Sequence, residues 1–100
     1  MILALSGGVG GAKLANGLAQ ICDPKDLFIA VNTGDDFIHL GLSISPDLDS
    51  VMYRLAGIND TARVWGLSDE TWNFMSAQSK IGNQAWFKLG DRDLATHVER

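Results

Sequence analysis

The stretch that decides the fold is ILALSGGVGGAK, residues 2–13. Residues 2–5 are all apolar and run straight into Ser6-Gly7-Gly8, which predicts a short buried strand. The apolar residues that follow recur at helical spacing: Leu14, Leu18 and Ile21. They predict a helix over about residues 11–22, which Asp23-Pro24 ends. A strand that enters a helix through a glycine loop is typical of an α/β unit.

The rest of the chain continues this alternation. Residues 27–31 form a second apolar run, as expected of a strand that is covered on both faces. A helix begins at Ser45-Pro46 and ends at Gly57. Further on, the pattern predicts a helix from Ser68 or Asp69 to Gly82, a third strand or extended segment over residues 85–89 and a last helix capped by Asp91. We therefore predict an α/β fold, mainly a parallel sheet with helices on both faces.

Apolar residues at helical spacing also predict which helix faces are buried. The helix after Pro46 carries one such stripe: Leu48, Val51, Met52 and Leu55. The last helix carries Leu94 and Val98, which leaves Asp93 and His97 on its opposite face.

Polar, glycine-rich segments follow the three predicted strands. They begin at Ser6, at Asn32 and at Gly90. Because parallel strands all point the same way, and ligands bind beyond their carboxyl ends, we expect these segments to meet at one rim that forms the site.

The first segment is a candidate phosphate loop. Backbone N–H groups in such a loop can approach a phosphate closely, and the helix N-terminus adds positive potential. The candidate phosphate-binding residues are Gly7, Gly8, Gly10, Gly11 and Lys13. The dinucleotide fingerprint needs glycine where Lys13 lies, and the nucleoside triphosphate loop needs Ser or Thr where Leu14 lies. A tight turn is the alternative, but four glycines in five positions exceed what a turn needs.

The second segment holds adjacent carboxylates, Asp35 and Asp36. Mg²⁺ takes one or two carboxylates and completes its shell with water and substrate phosphates, so the pair is a candidate Mg²⁺ site. An ordinary Asx turn is an equally good interpretation. At the start of the helix after Pro46, Asp47 suits the helix dipole, and Asp49 is the better site candidate.

The third segment, GDRDLATH at residues 90–97, offers more polar candidates. Asp93 and His97 lie four residues apart, so the carboxylate can orient the imidazole or raise its pKa, although spacing alone favours a solvated pair. Arg92 could bind phosphate through two hydrogen bonds, and Lys88 would lie near the same rim. Asp91 and Thr96 are further candidates. The tryptophans, Tyr53 and Phe87 are interpreted as packing residues, and His39 is assigned no role.

Composition excludes several classes of protein. The 100 residues carry a formal net charge of −4, 46% are hydrophobic, and the eight Lys and Arg residues do not cluster, which argues against nucleic-acid binding. No apolar run approaches the length of a membrane span. A lone cysteine, Cys22, fits a reducing, cytoplasmic setting. The chain ends within a predicted helix, so we expect residues 1–100 to be the N-terminal part of a longer single domain, whose exposed sheet edge would favour a homodimer.

The chain resembles the 2-phospho-L-lactate transferases of coenzyme F-420 biosynthesis over essentially all of its length. The resemblance rests on five motifs in order: residues 7–13, residues 32–36, residues 44–49, Trp65-Gly66 with Glu70-Thr71, and residues 89–97. One departure is Val64, where the family is expected to carry glycine.

The resemblance implies a Rossmann-like fold and a Mg²⁺-dependent transfer. A phospholactyl or enolpyruvyl phosphate group would pass from a guanosine diphosphate-linked donor to the ribityl hydroxyl of a deazaflavin, with release of GMP. The glycine loop would hold donor phosphates, and Asp49 and Lys88 would match acceptor-contacting positions. Asp35 and Asp49 are the first choice for metal ligands, with Asp36 as a rival. Asp49 is also the candidate base.

Two other functions stay open at the level of sequence. A nucleotide-sugar-binding regulator of the same superfamily would share both loops but lack the segment at residues 90–97. A nicotinamide-binding module of a dehydrogenase would need an acid in place of Asn32 and a glycine in place of Lys13.

Overall fold

The computed structural model describes residues 1–62 and 66–100. Two strands, β1 (Ile2–Ser6) and β2 (Leu27–Val31), flank helix α1 (Val9–Ile21), with a short 3₁₀ turn at Pro24–Asp26. A hairpin of β3 (Phe37–His39) and β4 (Leu42–Ile44) follows. The remaining helices are α2 (Pro46–Ala56), α3 (Asn73–Lys80) and α4 (Asp91–Glu99). No helix among the described residues has the length and apolarity needed to cross a membrane.

The sheet formed by β1 and β2 is parallel, with Ile2 opposite Leu27 and Ser6 opposite Val31. Helix α1 crosses between the two strands and packs on the face that carries Ile29 and Val31, together with α2. The predicted α/β class with a parallel sheet is therefore confirmed. On the other face, Leu3 and Leu5 are 62% and 76% exposed, so within the described residues the helices α1 and α2 cover one face.

The close approach of α1 to the sheet depends on small residues. Ala12 and Ala15 are the buried positions of α1, and they pack against Val51 of α2. The helix predicted from Leu14, Leu18 and Ile21 is present, although Leu14 and Ile21 are 53% and 81% exposed. Small side chains let helix and strand backbones approach, and the larger side chains therefore point outward.

The burial of α2 and α4 also differs from the apolar pattern. In α2, Val51 is buried as predicted, but the other buried positions are polar or aromatic: Asp47, Asp49 and Tyr53. In α4, His97 is 4% exposed, whereas Val98 is 69% exposed. The prediction that Asp93 and His97 lie opposite the buried face is wrong, because a polar network between α2 and α4 determines which face turns inward.

Of the two alternatives predicted for residues 85–89, the third strand is wrong, and the segment is irregular. A strand needs a partner for its backbone groups, and no described residue forms a ladder with this segment. Its side chains pack instead: Leu89 is fully buried with Ile44 and Met75, and Phe87 packs against this second core. The strands that sequence analysis missed are β3 and β4, which join through Leu40 and Gly41, both with positive φ.

Helix α3 begins later than predicted, at Asn73 instead of Ser68 or Asp69. Leu67 pairs with Asn59 in an isolated β-bridge, and Asp69 has a φ of +55°, so the chain turns at that point. The predicted end at Gly82 agrees with its positive φ of +76°.

Gly11 is required where α1 crosses β1. A Cβ at this position would meet the Ser6 hydroxyl and lie 3.1 Å from the Ser6 backbone. We expect Gly11→Ala to cost about 1–3 kcal/mol through overpacking, which exceeds the gain of about 1 kcal/mol in helix propensity. Gly17→Ala is the matched control, since a Cβ there meets nothing within 4 Å. Chemical denaturation of the full-length protein checks this, and a Gly11→Ala variant as stable as Gly17→Ala would contradict the close packing.

Candidate active site

The carboxyl ends of β1 and β2 form one rim of the candidate site. Asn32 continues the ladder through its N–H bond to the Ser6 carbonyl (2.9 Å), and its Nδ2 donates to Asp47 Oδ2 (2.9 Å). The other oxygen of Asp47 lies 3.1 Å from the position a Cβ on Gly8 would occupy. The glycine loop and the segment after β2 therefore meet, as predicted, and the first turn of α2 closes the rim.

The glycine loop leads into an uncapped helix N-terminus. Gly8 is the N-cap of α1, with no side-chain cap and no acidic residue in the first turn of the helix. The first backbone N–H groups of α1 thus have no helical acceptor, which suits an anion. Lys13 lines a cleft with Tyr53 and Arg54 beside α1. Arg54 was not among the predicted site residues.

Two acids after β2 lie at this same end of the molecule. Asp36 Oδ2 accepts a hydrogen bond from the Ser45 hydroxyl (3.2 Å), which ties it to the start of α2. Asp35 is exposed. The Asx turn that the sequence left open is present at Asn32, whose Oδ1 accepts from the Gly34 N–H (3.1 Å).

A second polar centre lies between α2 and α4. His97 Nε2 lies 3.2 Å from Asp93 Oδ2, and His97 Nδ1 lies 3.8 Å from Asp49 Oδ2. The Tyr53 hydroxyl donates to Asp93 and lies 2.8 Å from Thr96 Oγ1. Arg100 contacts Asp49 Oδ1 and donates to the Ser43 carbonyl (3.0 Å). We refer to this set as the α2–α4 network: Asp49, Tyr53, Asp93, Thr96, His97 and Arg100.

Burial and mutual contact shift the pKa values in this network. Burial raises the pKa of Asp49, although the hydrogen bond and charge of Arg100 oppose it. Burial also raises the pKa of Tyr53, as does its bond to Asp93. Burial acts to raise the pKa of Asp93, but hydrogen bonds from His97 and Tyr53 outweigh it and the net shift is downward. The hydrogen bond to Asp93 raises the pKa of His97 against the effect of burial. Desolvation and direct contacts therefore oppose each other at Asp49, Asp93 and His97 and act together at Tyr53.

A cavity of about 250 Å³ opens onto this network. It is lined by Asp49, Lys88, Asp93 and His97 on its polar side and by Phe87 among its apolar residues. The structure thus brings together Asp49 and Lys88, which the sequence places 39 positions apart. A concave, mainly apolar cavity with a few convergent polar groups is the usual form of a small-molecule site.

The residues that begin α4 are engaged in reciprocal capping. Glu70 accepts hydrogen bonds from the N–H groups of Arg92 (2.8 Å) and Asp93 (3.1 Å), which caps α4. In return, Asp91 accepts from the Asn73 N–H (2.9 Å) and the Phe74 N–H (2.8 Å), which caps α3. The Arg92 guanidinium donates to the Ser68 carbonyl (2.6 Å). Asp91 and Arg92 therefore hold the two helices together, and the α4 segment reaches the site through Asp93 and His97.

Capping by Asp91 makes stability depend on acid pH. Hydrogen bonds from the Thr71 hydroxyl and from the Phe74 and Asn73 N–H groups lower its pKa from 3.8 to about 2. A lowered pKa in the folded state means that the stabilisation is complete above pH 3.8 and is lost as pH falls toward 2. We expect Asp91→Asn to be less stable than the parent at neutral pH. The difference between the denaturation midpoints of parent and variant should become smaller as the pH falls from 3.8 toward 2. A difference that does not change with pH would contradict the capping role.

Among the described residues, one group of three has ligand atoms that all lie within 4.8 Å of one another: Asp49, Asp93 and His97. This group does not fit Mg²⁺ well, because Mg²⁺ prefers oxygen ligands in an octahedron and the two ring nitrogens of His97 face different carboxylates. Asp35 and Asp36 do not belong to this group. Asp47 approaches the glycine loop at Gly8, and Asp36 is bonded to Ser45 at the start of α2. Carboxylate oxygens of this kind match the chemistry of Mg²⁺ better.

Several residues of the site were not predicted from sequence. Asp47 was assigned to helix capping, yet it contacts Asn32 and approaches Gly8. Tyr53 was assigned to packing, and Arg100 was given no role. The i,i+4 spacing of Asp49 and Tyr53 was a usable signal, because it places both on one face of α2. The predictions on Val64 and Trp65 lie outside the described residues.

Comparison with known proteins identifies the family of this chain. A family model described as 2-phospho-L-lactate transferase CofD matches residues 2–100. Proteins named phosphoenolpyruvate transferase are similar over 99% of this chain: that of Kitasatospora aureofaciens is 46% identical, that of Streptomyces coelicolor 44% and that of Mycobacterium marinum 47%. The chain covers 32%, 31% and 34% of these proteins, about a third of their length. On this evidence the chain belongs to the 2-phospho-L-lactate transferase CofD family.

Proposed function

We propose that the full-length protein transfers an enolpyruvyl phosphate group from a guanosine diphosphate-linked donor to the ribityl hydroxyl of a deazaflavin, with release of GMP. The enolpyruvyl form is preferred to the phospholactyl form because the similar proteins are named phosphoenolpyruvate transferases. The reaction belongs to coenzyme F-420 biosynthesis, to which the family resemblance points.

The observation that carries this proposal is the first turn of α2. Asp47 on that turn meets Asn32 and the glycine loop, and Asp49 lines the cavity that also holds Lys88. A donor phosphate at the glycine loop and an acceptor in the cavity would therefore lie on either side of one helical turn. Catalysis of phosphoryl transfer consists mostly of such positioning and of charge stabilisation.

The proposed reaction is an attack by an alcohol on phosphorus. The ribityl oxygen forms a bond to the phosphorus that carries the enolpyruvyl group, the bond from that phosphorus to the bridging oxygen breaks, and GMP leaves with the electron pair. The hydroxyl proton passes to Asp49, whose pKa is raised by burial toward the range useful for a general base. Lys88 lines the same cavity and offers a positive charge to the acceptor side.

A divalent cation is part of the proposal, and Mg²⁺ when bound would neutralise charge on the donor phosphates. Asp35 and Asp36 follow β2 and supply oxygen ligands. Asp49 is less suited to bind the ion, because the Arg100 guanidinium already contacts its carboxylate. We therefore place Asp49 on the acceptor side.

The test uses the full-length protein with the deazaflavin, Mg²⁺ and each of the two guanosine diphosphate-linked donors in separate reactions. Mass spectrometry should show a phosphodiester of the deazaflavin together with GMP. The enolpyruvyl product is lighter than the lactyl product by two hydrogen atoms, so the mass identifies the donor. Folded protein that yields neither product would refute the proposed function, and a product with the lactyl donor alone would refute the choice of donor.

A further inference from the structure

His97 lies in an unusual position between two carboxylates. Its side chain is 1% exposed, with Nε2 at 3.2 Å from Asp93 Oδ2 and Nδ1 at 3.8 Å from Asp49 Oδ2. The two nitrogens of an imidazole point in different directions, so each nitrogen of His97 faces a different carboxylate. The ring therefore lies between the two carboxylates, and the three residues do not surround one metal ion. Nδ1 is buried and makes no hydrogen bond in the described part of the chain.

The Asp93 side of this connection is held rigidly. Asp93 accepts from the Tyr53 hydroxyl through its other oxygen, and Tyr53 is 5% exposed. The backbone of Asp93 is fixed as well, since its N–H donates to Glu70 (3.1 Å). Because the ring of His97 is anchored at Nε2, its Nδ1 has a defined direction. That direction is toward Asp49, on the wall of the cavity.

We propose that His97 is a positioning residue that holds the Asp49 carboxylate in its orientation toward the cavity. This inference rests on the proposed function of Asp49. Arg100 contacts Oδ1 of Asp49 and His97 faces Oδ2, so the two residues constrain both oxygens of the carboxylate from the α4 side. A misplacement of the reacting group by about 1 Å can cost about 100-fold in rate.

Two conservative variants separate the two nitrogens of the ring. The amide of asparagine in His97→Asn lies near the place of Nδ1, so it keeps a polar group facing Asp49. The amide of glutamine in His97→Gln lies near the place of Nε2 and keeps only the contact with Asp93. We expect kcat of the full-length protein to fall by about 100-fold in His97→Gln and by about 10-fold or less in His97→Asn. The KM for the deazaflavin should change less than kcat in both variants.

A second readout does not depend on activity. In protein labelled with ¹⁵N-histidine, the His97 resonances are identified by their loss in His97→Asn. Asp49→Asn should shift the His97 Nδ1 resonance and leave Nε2 nearly unchanged. His39→Asn is the matched control for removal of a buried histidine, because His39 packs among Phe37, Trp86 and Phe87 and forms no ion pair with a carboxylate in residues 1–62 and 66–100.

The outcomes separate this inference from the proposed function. If the parent protein does not form the phosphodiester, the proposed function fails, and the resonance shift alone then decides whether His97 faces Asp49. If the parent is active, equal kcat values in His97→Asn and His97→Gln would overturn the inference. A His97 Nδ1 resonance that does not respond to Asp49→Asn would overturn it in either case.

Discussion

Asp49→Asn is expected to lower kcat of the full-length protein by about 100- to 10,000-fold, the range typical of a lost general base. The amide keeps the size of the side chain but cannot accept the ribityl proton. Burial raises the pKa of Asp49 in spite of the Arg100 contact, so the environment already favours proton uptake. Steady-state kinetics with saturating donor and Mg²⁺ measure the effect.

The control for this prediction is Asp26→Asn, the same chemical change on an exposed residue of the 3₁₀ turn after α1. We expect its kcat to match that of the parent. A thermal melt of Asp49→Asn should show a folded protein, because the amide keeps the size of the side chain and the exposed Arg100 can be solvated once its partner charge is lost. Near-parental kcat in a folded Asp49→Asn would contradict the role of Asp49 on the acceptor side.

Leu89→Ala is expected to lower the apparent free energy of unfolding by about 2–5 kcal/mol, the cost of a large-to-small change in a core. Leu89 is 0% exposed and packs with Ile44 and Met75 in the core beneath the cavity. It also lies between Lys88, on the cavity wall, and Gly90, the N-cap of α4. Loss of its packing should therefore loosen the segment that carries Lys88. Denaturant titration gives the change in stability.

Leu89→Met is the matched control, because it conserves volume and should cost less than about 1.5 kcal/mol. A comparable loss of stability in Leu89→Ala and Leu89→Met would show that Leu89 does not fill a tightly packed position. The second core predicts that the free energy of unfolding decreases from the parent to Leu89→Met and further to Leu89→Ala.

Local sequence signals were sufficient for the α/β framework. The apolar runs of β1 and β2, the glycine loop and the Ser45-Pro46 helix start all act over a few residues, and each of these elements is present near its predicted bounds. Residues 85–89 show why this approach fails elsewhere. Their apolar character reflects burial of Leu89 in a core, and burial alone does not distinguish a strand from an irregular segment.

Helix faces were harder to predict, because hydrophobicity was taken as the sign of burial. In α2 and α4 the inward positions include Asp49, Tyr53 and His97. Buried polar groups are stable only when they pair, and their partners lie about 40 to 50 positions apart in sequence, as between Tyr53 and Asp93 and between Asp49 and Arg100. A single sequence does not reveal pairings over that distance.

The candidate site was predicted in two ways that differ in strength. The spacing of Asp93 and His97 identified them as neighbours from helix geometry alone, and they are. Asp49 and Lys88 were named together only through the family resemblance, and the structure places both on one cavity. The contact of Asp47 with Asn32 was missed, because it depends on how α2 packs beside the parallel strands.

The most direct measurement is a crystal structure of the full-length protein with the deazaflavin and Mg²⁺ bound. The account predicts that the ribityl end of the deazaflavin enters the cavity lined by Asp49 and Lys88. Its terminal hydroxyl should lie about 2.6–3.2 Å from an Asp49 oxygen, the reach of a general base. A deazaflavin bound with its ribityl hydroxyl away from Asp49 would contradict the account.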